Sequence, residues 1–312
     1  MSLLDLQKDL NAYLDAIAIE TDGEPAPFGK VCDPWQRRDI EAVAPAIERL
    51  INPEAPEPAQ RRCWWVRPRG HGKTSDVSML VARVLAFSRR RRRAVWVAAD
   101  KEQGCEGLDS IATLCRHNPW LDSLLTIQGG RAINERTKSV AYFTTSDVGS
   151  AFGWKDCDLF VLDEITHWPL KGEQLWSAMY STSGKRKNAV LFALMNAGHA
   201  GTWQRALRDK AESDPNWAFS ELPDAVASWI DMDQLRDQQK YLPQQAFDRL
   251  WRNRWCSSLG DAIQPDQVLQ AFNDSLRPMT GQERGYSFVL GCDLSLRRDF
   301  SACVTLGVHE IR

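Results

Sequence analysis

Gly70, Gly72, Lys73 and Thr74 have the types and spacing to hold a phosphate group. Glycines let a backbone wrap an anion and aim N–H groups at it. A lysine at the helix start reaches the outer phosphates, and a following hydroxyl can ligate Mg²⁺. In the pattern G-x-x-x-x-G-K-[ST] the first glycine would fall at position 67, where Arg67 stands. A second group, Asp163-Glu164, closes the apolar run LFVL at 159–162. An Asp at a strand end beside a phosphate loop can hold the metal, and the adjacent Glu can polarise an attacking water. The pair therefore points to hydrolysis of a nucleotide rather than to binding alone. Gln36, in the segment Pro34-Trp35-Gln36, carries an amide that donates and accepts at once, which suits an adenine edge; a plain surface glutamine is the alternative. Asn196 follows the apolar run at 189–195 and is either a sensor of the terminal phosphate or a turn residue.

The elements that must position these residues follow from apolar spacing. Residues 3–19 read as one helix and 21–30 as a linker. Asp33 caps and Pro34 opens a helix over 33–50. RCWWV (62–66) reads as a strand entering the loop, and 73–87 as the helix leaving it. AVWVAA (94–99), LFVL and AVLFALM (189–195) read as buried strands, with helices at 101–117 and 172–182 and short strands within 124–148. Strands apolar on both faces that alternate with helices predict an α/β fold with a mainly parallel sheet. From about 223 the chain becomes helical and charged, with Pro243 restarting a helix. Residues 286–308 read as two strands around a polar turn.

The 312 residues carry a formal net charge of −2, so nucleic-acid binding would have to come from a local basic surface. The arginine run at 89–93 is one such surface, or simply a solvated connection. The tryptophans fall mostly in apolar strands and helix faces, including Trp65, Trp96, Trp176 and Trp251, and read as core. The eight cysteines form no C-x-x-C pair, no H-x-x-x-H spacing occurs, and no apolar run reaches membrane length. These features lead us to expect a soluble intracellular protein.

Taken in order, the segments resemble those of the large subunit of tailed-phage terminase. PWQ (34–36) resembles that family's adenine motif, and RPRGHGKTS (67–75) its phosphate loop, in which Arg69 fills a family arginine position. VAADKEQ (97–103), LFVLDEITHW (159–168) and LMNAG (194–198) resemble its second-strand, Walker B and coupling segments. SWIDMDQL with LPQQAFDRLWRNRW (228–255) resembles its helical lid, and GCDLSLRRDFSA (291–302) the opening of its RNase H-like nuclease domain. The resemblance implies a P-loop ATPase of the ASCE/RecA-like type with four parts: an N-terminal helix and linker (1–30), an ATPase core (31–222), a lid and linker (223–282), and the beginning of a nuclease domain (283–312).

It further implies ATP and Mg²⁺ as cofactors, with Thr74 and Asp163 on the metal and Glu164, Lys73 and Arg69 acting on the reaction. Gln36, Gly70, His71, Gly72, Thr74 and Ser75 would contact the nucleotide, and Asn196 would couple hydrolysis to the lid. Implied partners are double-stranded DNA, a portal protein, the small terminase subunit and copies of the chain in a ring, working in the cytoplasm of an infected bacterium. Two departures stand out. Phe152 occupies the place of the family's trans-acting arginine, leaving Lys155, Arg131 or Arg136 as substitutes. Asp293 matches the first nuclease metal ligand and Asp299 a turn position, while the later acids would lie beyond Arg312, so this chain alone is not expected to cleave DNA. A helicase-like ATPase and a P-loop module that binds without hydrolysis are the rival readings.

Overall fold

The computed structural model describes residues 2–146, 154, 156–169, 171–256, 285–293 and 302–309. The chain forms two compact units, divided between Gly260 and Asp261.

The larger unit opens with two short helices, α1 (Leu3–Lys8) and α2 (Leu10–Ala16), rather than one. Asp9 is the reason. It ends α1, and its carboxylate accepts the Asn11 N–H to start α2, the local bonding that favours Asp at caps over helix interiors. The expected linker contains the small strands β1 (Ala18–Ile19) and β2 (Ala26–Pro27) and the turn of helix α3 (Phe28–Val31). This N-terminal segment is not a loose arm. Leu6, Tyr13, Leu14, Ile17 and Phe28 are buried in the main core, and the Tyr13 hydroxyl donates to Met79 O at 2.8 Å.

Next come α4 (Pro34–Ile51), β3 (Arg62–Val66), α5 (Lys73–Phe87), β4 (Arg93–Ala98), α6 (Lys101–His117) and α7 (Pro119–Asp122). The short strands β5 (Thr126–Gln128), β6 (Arg131–Asn134) and β7 (Ser139–Thr145) lead to β8 (Leu159–Leu162), α8 (Gly172–Ser183) and β9 (Val190–Met195). Two elements that the sequence reading passed over follow, α9 (Trp203–Ser213) and β10 (Trp217–Glu221). The charged region supplies α10 (Met232–Tyr241) and α11 (Gln244–Leu250), with Pro243 between them. Residues 223–256 belong to the same compact unit as the sheet.

Eight strands make one sheet in the order β10-β3-β9-β8-β4-β7-β6-β5. The pairings from β10 to β7 are parallel, and the last two are antiparallel. The unbroken apolar runs are explained by burial on both faces: every residue of β8 and β9 is buried. Trp64 and Trp65, neighbours in β3, point into opposite apolar clusters. The topology places β9 between β3 and β8. The loop after β3, the acids after β8 and Asn196 after β9 therefore meet along one edge, the carboxyl ends of the parallel strands. Among the described residues no helix is long and apolar enough to cross a membrane.

The smaller unit contains an antiparallel pair, β11 (Tyr286–Asp293) and β12 (Ala302–His309), with Cys292 opposite Cys303 and Asp293 opposite Ala302. Asp293 thus ends β11. Asp299 lies outside the described residues.

Candidate nucleotide site

β3 runs into the loop at Val66, and α5 leaves it at Lys73. Gly70 (φ 73°) and Gly72 (φ 63°) both take the left-handed conformation that glycine adopts without a Cβ penalty. A Cβ on Gly72 would lie 3.3 Å from Ser75 Oγ and 3.4 Å from Gln36 Nε2, so the loop is also tight there. Lys73 Nζ donates to the loop carbonyls of Arg67 (3.1 Å) and Pro68 (3.3 Å) and lies 3.7 Å from Glu164 Oε1.

Arg67, at the place of the missing glycine, is fully buried beneath the loop. Its guanidinium bridges Asp76 of α5 (2.7 Å) and Asp39 of α4 (3.1 Å), donates to His71 O, and sits 4.0 Å over the Trp65 ring and 4.7 Å over Trp35. Gln36 belongs to the same network. Its Nε2 donates to Asp76 Oδ1 at 2.9 Å, and its Oε1 accepts the Asp33 N–H in a capping box. Without nucleotide the amide is buried and bonded to protein on both sides, which places it against the loop through Asp76. His71 is held by protein in the same way. Its ring is buried, Nδ1 bonds Arg69 O, and Nε2 accepts from the N–H groups of Val226 and Ala227. Burial lowers its pKa, which favours the neutral imidazole this bonding needs. Ser75 is exposed and donates to Gly72 O. Arg69 is exposed, and its backbone N–H is tied to Leu250 O at 2.8 Å.

Across β9, Asp163 and Glu164 face the loop. Asp163 is buried, and its Oδ2 accepts from Thr74 Oγ1 and from Trp96 Nε1, each at 3.2 Å. Its Oδ1 accepts the Glu164 N–H, and its carbonyl accepts from Trp168 Nε1. Burial, and then the neighbouring Glu164, push the Asp163 carboxyl up. Burial works the same way on Glu164, but Lys73 and the His167 ring, 3.3 Å away, outweigh it and hold Glu164 ionised. Glu164 has φ 50°, a strained conformation for a non-glycine residue that aims its side chain at Lys73. Among the described residues no three His, Cys, Asp or Glu side chains gather as an all-protein metal cage. Thr74 with Asp163 is instead the kind of sparse oxygen pair that could hold Mg²⁺ when phosphates and water supply the other ligands.

The fold that carries these residues has counterparts among solved structures. The HK97 bacteriophage large terminase superposes with a TM-score of 0.65 over 96% of this chain and 64% of that one, at 17% identity. The large terminase of a thermophilic bacteriophage gives 0.54 over 85% and 64%, at 10% identity. The ATPase domain of the Thermus phage P74-26 large terminase gives 0.51 over 69% and 96%, at 12% identity. The fold is that of a phage large terminase. The chain spans 64% of the length of the first two of these structures. No protein-family model and no curated protein matches the sequence.

Within this terminase fold, Asn196 is buried at the end of β9, and its Oδ1 accepts from Thr166 Oγ1 at 3.0 Å, just beyond Glu164. A residue the sequence reading missed, Asn253, stands beside it. Asn253 is buried, with φ 51°. Its Nδ2 donates to Val66 O (3.0 Å) and Leu222 O (2.7 Å), and its Oδ1 accepts the Ala197 N–H (2.8 Å). One side-chain amide thus ties the ends of β3, β9 and β10 to the stretch following α11. At the loop's other side, Trp229 Nε1 donates to Gly70 O and the Ser228 N–H to Asp33 Oδ2. The apolar strand around Trp96 predicts a core residue. It is core, yet its indole also orients Asp163. Phe152 and Lys155 lie outside the described residues, and Arg131 and Arg136 lie at β6 and the turn after it.

Proposed function

We propose that this chain is the ATP-hydrolysing motor subunit of a phage terminase, which draws double-stranded DNA into a procapsid. One observation carries the reading: Thr74 Oγ1 lies 3.2 Å from Asp163 while Lys73 lies 3.7 Å from Glu164, joining loop and acids across β9. A structure of the thermophilic bacteriophage's terminase in complex with ADP, 11% identical with a TM-score of 0.50, supports the choice of an adenine nucleotide. In this reading the N–H groups of the loop from Gly70 to Thr74, with Lys73, take the phosphates. Arg69 adds positive charge at the loop's exposed rim. Thr74 and Asp163 hold Mg²⁺, whose charge stabilises the developing phosphate charge and offsets the burial that otherwise disfavours ionised Asp163. Glu164, held ionised by Lys73, accepts a proton from the attacking water. Asn196 connects the acids, through Thr166 and Ala197, to Asn253 and the lid.

The same reading supplies the partners: a portal protein, the small terminase subunit, and copies of this chain in a ring, in the cytoplasm of the infected host. β11 would be the opening strand of an RNase H-like nuclease with Asp293 as one metal ligand. Phosphate release from ATP tests the core of the proposal. Lys73→Ala and Glu164→Gln should each lower turnover about 10²- to 10⁴-fold while melting like the parent. Unchanged turnover in either variant refutes the site.

A further inference from the structure

The connection from α5 to β4 meets the turn from β6 to β7 at the end of the sheet opposite the phosphate loop. The two ends are separated by the length of α5, about 22 Å for its 15 residues. Here a cleft of about 450 Å³ is lined by Gln7, Ser88, Arg89, Arg91, Arg136 and Thr137. The sequence run 89–93 divides in the structure. Arg92 pairs with Asp158 at 3.3 Å, and Arg93 with Asp156 at 3.9 Å, so both are structural. Arg89, Arg90 and Arg91 are exposed, as is Arg136, which is distant in sequence yet lines the same cleft. Among the described residues none of these four pairs with a carboxylate, and Glu135, the acid beside Arg136, is taken by Lys138 at 2.8 Å. Folding therefore gathers like charges without a counter-charge, an arrangement that costs stability unless an anion fills it.

We propose that this cleft is a docking site for the phosphodiester backbone of duplex DNA, separate from the nucleotide site. Guanidinium groups on two turns match successive phosphates better than a single anion, because forked donors grip each phosphate in a fixed geometry. A backbone grip carries no base preference, so binding is independent of sequence. The choice of duplex DNA as the occupant rests on the motor reading above; the gathering of arginines does not.

The test is fluorescence anisotropy of a labelled duplex with the full chain, titrated between about 50 and about 200 mM salt. Each phosphate contact contributes about 0.9 to the slope of log affinity against log salt, so Arg89→Gln/Arg91→Gln/Arg136→Gln should flatten that slope by about 2.7. Across that range the parent should then lose roughly 40-fold more affinity than the triple variant. Arg136→Gln alone should flatten it by about 0.9, which keeps the test sound should the triple variant melt early. Phosphate release without DNA should be unchanged in both variants. An unchanged slope, or no duplex binding by the parent, overturns the proposal. So does displacement of the duplex by polyglutamate as readily as by unlabelled duplex, which would mark an acidic protein as the occupant. Displacement by dilute pyrophosphate would likewise mark a small-anion site. Loss of the slope change with ATP turnover intact refutes the cleft alone; absent turnover with the slope change intact refutes the nucleotide site alone.

Discussion

Arg67→Gly would restore the glycine of the common phosphate-loop pattern, and we expect it to damage the protein. The guanidinium is fully buried between Asp39 and Asp76, whose side chains are each 2% exposed. Removing one partner of a buried pair costs about 3–5 kcal/mol, because the remaining charge is left uncompensated. Losing the stack over Trp65 and Trp35 adds roughly 0.5–2 kcal/mol. A total of roughly 3.5–7 kcal/mol rivals the whole stability of many domains, and at about 2–4 °C per kcal/mol it should lower the melting temperature by on the order of 10 °C or more. The pH dependence gives an independent check. Burial already pushes the Asp76 carboxyl up to about 6, against the pull of Arg67 and Gln36, and removing Arg67 raises it further. A carboxyl whose folded pKa exceeds its unfolded value adds stability at low pH and loses it as pH rises through the folded pKa. The deficit of the variant should therefore widen from about pH 6 upward, and Arg67→Gly/Asp76→Asn should recover part of it. Thermal melts near pH 5.5 and pH 8 decide the matter. A variant melting within a few degrees of the parent, or a deficit that ignores pH, would refute the reasoning.

Two further substitutions probe the supports of the acids and the lid. Trp96→Phe keeps a ring against Phe143 but removes the donor to Asp163; at about 1.5–3 kcal/mol for a bond to a charged group, turnover should fall about 10- to 100-fold with nucleotide affinity nearly unchanged, as phosphate release and equilibrium binding would show. Asn253→Gly keeps the left-handed backbone but deletes three hydrogen bonds; a loss of about 2–4 kcal/mol in denaturant unfolding is expected, and a loss below about 1 would show that the amide is not a keystone.

The parts of this site that were legible in the sequence are those whose signal is local. Gly70, Gly72, Lys73 and Thr74 announce a loop because glycine and lysine at that spacing have few other uses. LFVL followed by two acids announces a buried strand with a charged end. Arg67 could not be read, because its meaning lies in Asp39 and Asp76 on two different helices. A buried guanidinium and a solvated one look alike in a string of letters. The bond from Gln36 to Asp76 is hidden for the same reason. Asn253 sits in a charged helical stretch where an asparagine is unremarkable; only the convergence of three strand ends reveals it. The break at Asp9 carried a local signal, an Asp amid a helical pattern, which the apolar spacing outweighed. α9 and β10 were passed over although WAFSE pairs along the whole of β3.

The loop is held on two sides by bonds of different strength, and that difference says which side can move. Below it lies a buried network of charges, Arg67 with Asp39 and Asp76, whose disruption costs about 3–5 kcal/mol. Above it the segment 226–229 is attached to the loop itself by neutral bonds, from Val226 and Ala227 to His71 and from Trp229 to Gly70, each worth about 1 kcal/mol net, while its bond to a carboxylate, from the Ser228 N–H to Asp33, goes to the start of α4 and not to the loop. A nucleotide that draws Lys73 off the carbonyls of Arg67 and Pro68 reshapes the loop at its upper face, where Gly70 and His71 carry those neutral contacts. The weaker attachment gives first. Hydrogen exchange should therefore change at the Val226 and Ala227 amides when a non-hydrolysable ATP analogue is added, while the amides of α4 around Asp39 stay as they were. Equal exchange at 226–227 with and without the analogue would mean that this segment does not respond to the loop. The hydrogen bonds of His71 would then be a fixed support like those of Arg67.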